Sequence, residues 1–211
     1  MRKYLTEFLG TFFFVMTIGL VATTGHPLAP LTIGAALMVV VYMGGHLSGA
    51  HYNPAVTLAV FLRGKLPASD VPPYILAQVA GAALGAYLSF MLLDRTFAPA
   101  PGPLSTTVTA IMVETFYTFL LALVVLNVAT SPATEGNSYY GLAIGTTIVI
   151  AIYAGGPISG GAYNPAVAVG AILVDAAAGE GDLGSLWIYL VGPFLGGALA
   201  APVYRIQHQS A

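Results

Sequence analysis

The chain has 211 residues, of which 57% are hydrophobic and 7% charged, with a net charge of −2 and a mean hydropathy of +0.85. A soluble domain carries about 25% charged residues, so lipid must solvate most of this surface, and the near-neutral charge argues against nucleic acid as a partner. Without cysteine, disulfides, thiol catalysis and cysteine metal sites are excluded.

Six apolar runs are long enough for a hydrocarbon core of about 30 Å, which takes roughly 20 helical residues. They are predicted near 4–24, 31–48, 72–92, 107–129, 139–156 and 186–206. The first follows Arg2 and Lys3 as a signal peptide would, but it is long and interrupted by Glu7, so it reads as a retained transmembrane helix. Loops are marked by Gly-His-Pro at 25–27, Pro-Ala-Pro-Gly-Pro at 99–103, the polar run 131–137 and Gly-Glu-Gly-Asp at 179–182. Tyr4, Tyr139, Tyr140, Trp187, Tyr189 and Tyr204 fall near predicted helix ends, as an interfacial aromatic belt requires.

Two further apolar segments, near 54–62 and 165–175, are too short to span. Each opens with Asn-Pro, a strong N-cap followed by the residue suited to the first helical position. The Asn-Pro-Ala copies lie at Asn53, Pro54, Ala55 and at Asn164, Pro165, Ala166, inside longer matching phrases, Gly44–Val56 and Gly155–Val167, at a constant offset of 111 residues. At that offset Tyr42 also matches Tyr153, Gly81 matches Gly192, Gly85 matches Gly196 and Leu88 matches Leu199. The chain therefore reads as one domain over 1–211 made of two repeats, about 1–98 and 105–211. Each repeat has three crossings, so the second enters from the opposite side and the half-helices approach each other from opposite faces. The Gly- and Ser-rich backbone before each half-helix is irregular, which at membrane depth is tolerated only beside a water-filled path or buried in protein. Small residues at helical spacing (Gly81, Gly85, Gly192, Gly196) read as tight helix crossings.

With the N-terminus inside, Arg2, Lys3, Arg63, Lys65 and Arg205 face the cytoplasm and only Arg95 lies outside, which satisfies the positive-inside rule. The expectation is a multi-pass protein of a bacterial or archaeal inner membrane with both termini cytoplasmic.

The double Asn-Pro-Ala, the Ser-Gly before each copy, the early glutamates Glu7 and Glu114, and His46 together resemble the aquaporin, or major intrinsic protein, family along essentially the whole chain. The resemblance implies an all-α membrane fold of six helices plus two re-entrant half-helices in an inverted repeat, usually a homotetramer with one pore per protomer. It implies passive conduction of water or small neutral solutes and no cofactor. It also assigns Glu7, Glu114 and His46 to support of the irregular loops, the two glutamates by accepting loop N–H groups. Most members carry Arg directly after the second Asn-Pro-Ala; here that position is Val167. Carried over by spacing from the asparagines, the outer selectivity filter is Ile33, Ile152, Gly161 and Val167, a set without a side-chain hydrogen-bonding group. Such a filter is wide and apolar, leaving backbone carbonyls beside Gly160 and Gly161 as the polar rail.

Conduction would then rest on two helix N-termini, each carrying about half a positive charge, aimed at one point where Asn53 and Asn164 offer N–H donors. His46 and His51 flank the first loop without a third ligand, so a metal site is not expected. No Gly-x-Ser-x-Gly or His-Glu-x-x-His phrase supports an enzyme. A strict water channel closed by other residues, or a junctional protein on the same fold, are the alternatives.

Overall fold

The computed structural model of the chain describes residues 1–208, and among these it contains helices and no strand. The helices are α1 Arg2–Ala22, α2 Ala29–Ser48, α3 Pro54–Leu62, α4 Val71–Leu93, α5 Thr107–Thr130, α6 Tyr140–Ser159, α7 Pro165–Ala178 and α8 Leu186–Gln207. Six of them hold 20 to 24 residues, enough at about 1.5 Å per residue to cross a bilayer. The other two, α3 with 9 residues and α7 with 14, are too short. Local chemistry sets the boundaries. Thr106 and Thr109 cap each other at the start of α5, and α2, α6 and α7 stop at Gly49, Gly160 and Gly179, each with a left-handed φ between 81° and 90°. The predicted end of α6 at residue 156 falls short, because the helix runs through Pro157 to Ser159. A proline so near a C-terminus removes a single backbone bond.

Exchanging the two halves maps the packing onto itself. α1 lies along α4 as α5 lies along α8; α3 docks on α8 as α7 docks on α4; α2 and α6 meet across the halves. Glycines permit the closest crossings. A Cβ on Gly81 would sit 2.4 Å from the Phe8 carbonyl oxygen, and one on Gly196 would sit 2.4 Å from that of Thr115. Helices in lipid gain stability from such backbone approach rather than from hydrophobic exclusion. Exposed Leu76, Met91, Phe116 and Leu199 face outward on the spanning helices, where lipid replaces water as their solvent.

The aromatic belt is only partly realised. Tyr139 and Trp187 are half exposed, whereas Tyr189 and Tyr204 are buried. The Tyr189 hydroxyl donates to the Ser159 carbonyl at 2.5 Å, and Tyr204 lies beneath the Arg63 guanidinium, 4.5 Å from its ring centroid.

Gly81→Leu is expected to force α1 and α4 apart, an overpacking cost of about 1–3 kcal/mol. A lower thermal midpoint of the detergent-solubilised protein is the readout; an unchanged midpoint would mean that this crossing does not limit stability.

Candidate functional site

The two irregular loops that enter the bundle, 49–53 and 160–164, are built alike. Gly49, Ala50 and Tyr52 have positive φ in the first loop, and Gly160, Gly161 and Tyr163 in the second. For a tyrosine this conformation costs on the order of 1–3 kcal/mol and persists only when neighbours fix it. Both rings are fully buried. The Tyr52 hydroxyl donates to the Val40 carbonyl at 3.0 Å and that of Tyr163 to the Ala151 carbonyl at 2.8 Å. Room for the rings comes from missing side chains: a Cβ on Gly44 would fall 1.9 Å from the Tyr52 hydroxyl, and one on Gly155 would fall 2.4 Å from that of Tyr163.

This backbone shape turns successive N–H groups to one side, where a carboxylate receives them. Glu7 accepts from His51 N at 3.0 Å, Tyr52 N at 2.7 Å, Ser48 Oγ at 2.7 Å and Gln78 Nε2 at 2.8 Å. Glu114 accepts from Ala162 N at 3.0 Å, Tyr163 N at 2.6 Å and Ser159 Oγ at 2.8 Å. Both carboxylates have no solvent exposure. With the N–H groups held behind, the carbonyls of residues 49–51 and 160–162 have no hydrogen-bond partner among the described residues, and five of these six residues line the cavity described below.

Asn53 and Asn164 cap α3 and α7 from extended backbone, their side-chain oxygens accepting from Ala55 N and Ala166 N, each at 2.9 Å. Pro54 and Pro165 are the first residues of the two helices. The amide groups interlock across the halves. Asn53 Nδ2 donates to the Tyr163 carbonyl at 2.9 Å, and Asn164 Nδ2 donates to the Tyr52 carbonyl at 2.8 Å. Each carboxamide has two N–H groups, so one on each asparagine is left for a visitor.

A cavity of about 500 Å³ opens from these asparagines toward the face opposite the N-terminus, and Ile33, Ile152, Gly161 and Val167 all line it. A second, of about 710 Å³, opens toward the N-terminal face past Lys3, His46, Lys65 and Asp70. Val41, His51, Val125 and Ile144 line both, so the two cavities adjoin beside the first loop.

His46 does not support the loop. It lies exposed in the last turn of α2, and its ring makes no hydrogen bond among the described residues. Three positions before the loop begins, it is still helical and its side chain lies exposed. The histidine bonded near the loop is His51, with Nδ1 3.1 Å from Thr57 Oγ1, which in turn accepts from Gln78 Nε2 at 2.9 Å. Gln78 belongs to no motif, although a lone amide in an apolar spanning helix is a signal of its own. Tyr74, which carries no sequence signal, and Tyr189, expected in the aromatic belt, hold the Ser48 and Ser159 carbonyls through their hydroxyls at 2.7 and 2.5 Å.

A profile of the Major intrinsic protein family matches residues 1–204. The chain belongs to the major intrinsic protein family. Among its relatives is Aquaporin NIP1-1 of Zea mays, 37% identical over 97% of this chain and 74% of that protein. Another is Glycerol uptake facilitator protein-like 6 of Lactiplantibacillus plantarum, 39% identical over 98% of both. The X-ray structure of the aquaglyceroporin from Plasmodium falciparum superposes with a TM-score of 0.84 and 25% identity, covering 96% of this chain and 94% of that one. Membership makes this a multi-pass membrane channel for water and small solutes rather than an enzyme. The relatives come from a plant and a bacterium alike, so kinship adds nothing to the expectation of a bacterial or archaeal membrane.

For this major intrinsic protein, Glu114→Gln is expected to lower stability by about 1–3 kcal/mol, because every group facing the carboxylate is a donor and an amide nitrogen cannot accept from it. Thermal unfolding followed by Trp187 fluorescence measures this, and a wild-type midpoint would refute an acceptor role for Glu114.

Proposed function

We propose that the protein is a passive channel that conducts water and small uncharged solutes larger than water, such as glycerol, urea, ammonia or metalloid hydroxides, and excludes protons and ions. The observation that carries this reading is the lining of the outer cavity. Its four filter positions hold two isoleucines, a glycine and a valine, so no side chain there is charged or donates a hydrogen bond.

A permeant would meet the unpaired carbonyls of the second loop, then the free N–H groups of Asn164 and Asn53, then the carbonyls of the first loop. Acceptors flank donors, so a water at the asparagines accepts from both and cannot pass a proton along a continuous water chain. The N-termini of α3 and α7 converge there with positive potential that opposes hydronium and metal cations. Apolar walls bind the permeant weakly, and exit stays fast. The face carrying Arg2, Lys3, Arg63, Lys65 and Arg205 is cytoplasmic on this reading, which places the 500 Å³ cavity outside. Protomers assemble as homotetramers in the bilayer, each with its own pore.

Val167→Arg is expected to narrow the filter and add fixed positive charge, reducing glycerol and urea flux more than water flux. Stopped-flow light scattering on proteoliposomes at matched protein density is the test; a wild type that conducts water but excludes every larger solute would overturn the wide-filter reading. Asn53→Asp or Asn164→Asp should reduce neutral-solute flux and admit a cation current, since a carboxylate cancels the local positive potential. Unchanged water flux with no current would place these side chains off the conduction path.

A further inference from the structure

We propose that the hydroxyls of Tyr52 and Tyr163 are positioning groups for proton exclusion: each tyrosine fixes, through its own backbone carbonyl, the free amide N–H of the asparagine in the opposite half. The inference rests on the preceding reading of Asn53 and Asn164 as donors on the conduction path.

Each tyrosine is held at three points. Its backbone N–H donates to a buried carboxylate, Tyr52 N to Glu7 Oε2 at 2.7 Å and Tyr163 N to Glu114 Oε2 at 2.6 Å. Its hydroxyl donates to a spanning helix, Tyr52 to the Val40 carbonyl of α2 at 3.0 Å and Tyr163 to the Ala151 carbonyl of α6 at 2.8 Å. Its carbonyl accepts from the asparagine of the other half, Tyr52 from Asn164 Nδ2 at 2.8 Å and Tyr163 from Asn53 Nδ2 at 2.9 Å. Between these points φ is +49° in both residues, a conformation that a side-chain-bearing residue keeps only when its neighbours fix it. The carboxylate holds the backbone on one side alone, and the hydroxyl supplies the second anchor. α2 and α6 pack against each other across the halves, so the two hydroxyl anchors stand on one shared frame.

A carboxamide is planar, so two bonds fix its orientation. Asn53 Oδ1 accepts from Ala55 N and Asn164 Oδ1 from Ala166 N, each at 2.9 Å, and the tyrosine carbonyl of the other half takes one N–H of each amide. The second N–H of each then has a single direction. Without its hydroxyl bond the strained tyrosine is free to tilt its carbonyl. The opposite carboxamide turns about its capping bond, and the free N–H swings with it. A water that no longer accepts from both asparagines at once can rotate and join the water chains on either side, which opens a route for a proton. Phenylalanine would fill the same space without the bond to the helix, so packing and positioning are separable at both residues.

The experiment measures proton leak with a pH-sensitive dye inside proteoliposomes, and water flux by stopped-flow light scattering, for wild type, Tyr52→Phe, Tyr163→Phe and the double variant. The ratio of proton to water flux should rise several-fold in each single variant and further in the double. Tyr42→Phe, which removes a tyrosine hydroxyl bond to the Ser138 carbonyl far from the loops, should not raise it. With isotope-labelled asparagine, solid-state NMR should show the Asn53 side-chain amide shifted by Tyr163→Phe and the Asn164 amide shifted by Tyr52→Phe. General loosening of a loop would instead move the asparagine next to the substitution. Tyr163→p-aminophenylalanine, whose amine can donate to the same carbonyl, should return both readouts toward wild type. Each single variant tests the proposal by itself, so the question stays decidable if one fails to fold. A folded, water-conducting Phe variant with wild-type proton leak, or with no shift of the opposite amide, overturns the proposal and leaves the channel reading intact. A wild type that passes neither water nor small solute overturns the channel reading, and this proposal with it.

Discussion

Backbone polar groups cannot be left bare at membrane depth, and two buried carboxylates let this chain place non-helical backbone there. Glu7 and Glu114 take the N–H groups of the two loops from behind. An unpaired buried donor costs about 1–3 kcal/mol, and each loop would present several. Satisfying the donors on one side leaves the carbonyls free on the other, so the arrangement that makes the loops tolerable also produces the row of acceptors. The charges themselves are surrounded by donors rather than paired with a cation, which is how an isolated buried anion can be kept without a counter-ion.

The halves are alike in backbone but not in chemistry. Behind the first loop, Glu7 has Gln78 as an additional donor, and Gln78 also reaches Thr57, which in turn meets His51. At the matching positions of the second half stand Tyr189, Ala168 and Ala162, an apolar set apart from the tyrosine hydroxyl. The first loop is therefore backed by a longer chain of polar side chains than the second. Water entering from the far face meets carbonyls among apolar walls, whereas water past Asn53 meets an imidazole that lines both cavities.

How much of this could be read from the residues depends on the range of the interaction. Helix existence, the half-helix starts at Pro54 and Pro165, and the pairing of the halves are local or periodic signals, and each is written in the chain. The four filter positions, carried over by spacing, line one cavity. Failures came where a side chain's direction decided the matter. His46 and His51 are five residues apart, but only the second lies past the helix end, and a sequence does not state where a helix's last turn points. Tyr189 and Tyr204 sit near the ends of a spanning helix as belt residues do, yet they face inward because a carbonyl and a guanidinium await them across the bundle.

On the reading proposed above, the apolar filter shifts the burden of ion exclusion inward. A ring of Ile33, Ile152, Gly161 and Val167 puts no fixed charge at the outer mouth, so a cation there is opposed only by the loss of its hydration shell. That loss is large where the only replacements are a few carbonyls on one wall, because an ion needs partners on all sides and a neutral solute does not. The decisive barrier is then at the centre, where α3 and α7 begin. Two helix termini of about half a charge each, within a low-dielectric bundle, act far more strongly than they would in water. The Asn53 and Asn164 oxygens are engaged in capping bonds, so they are not free to solvate a cation. The proposed channel thus separates selection by charge from selection by size along the pore, the first set by backbone and asparagines shared between the halves, the second by side chains at the mouth that can change without disturbing it.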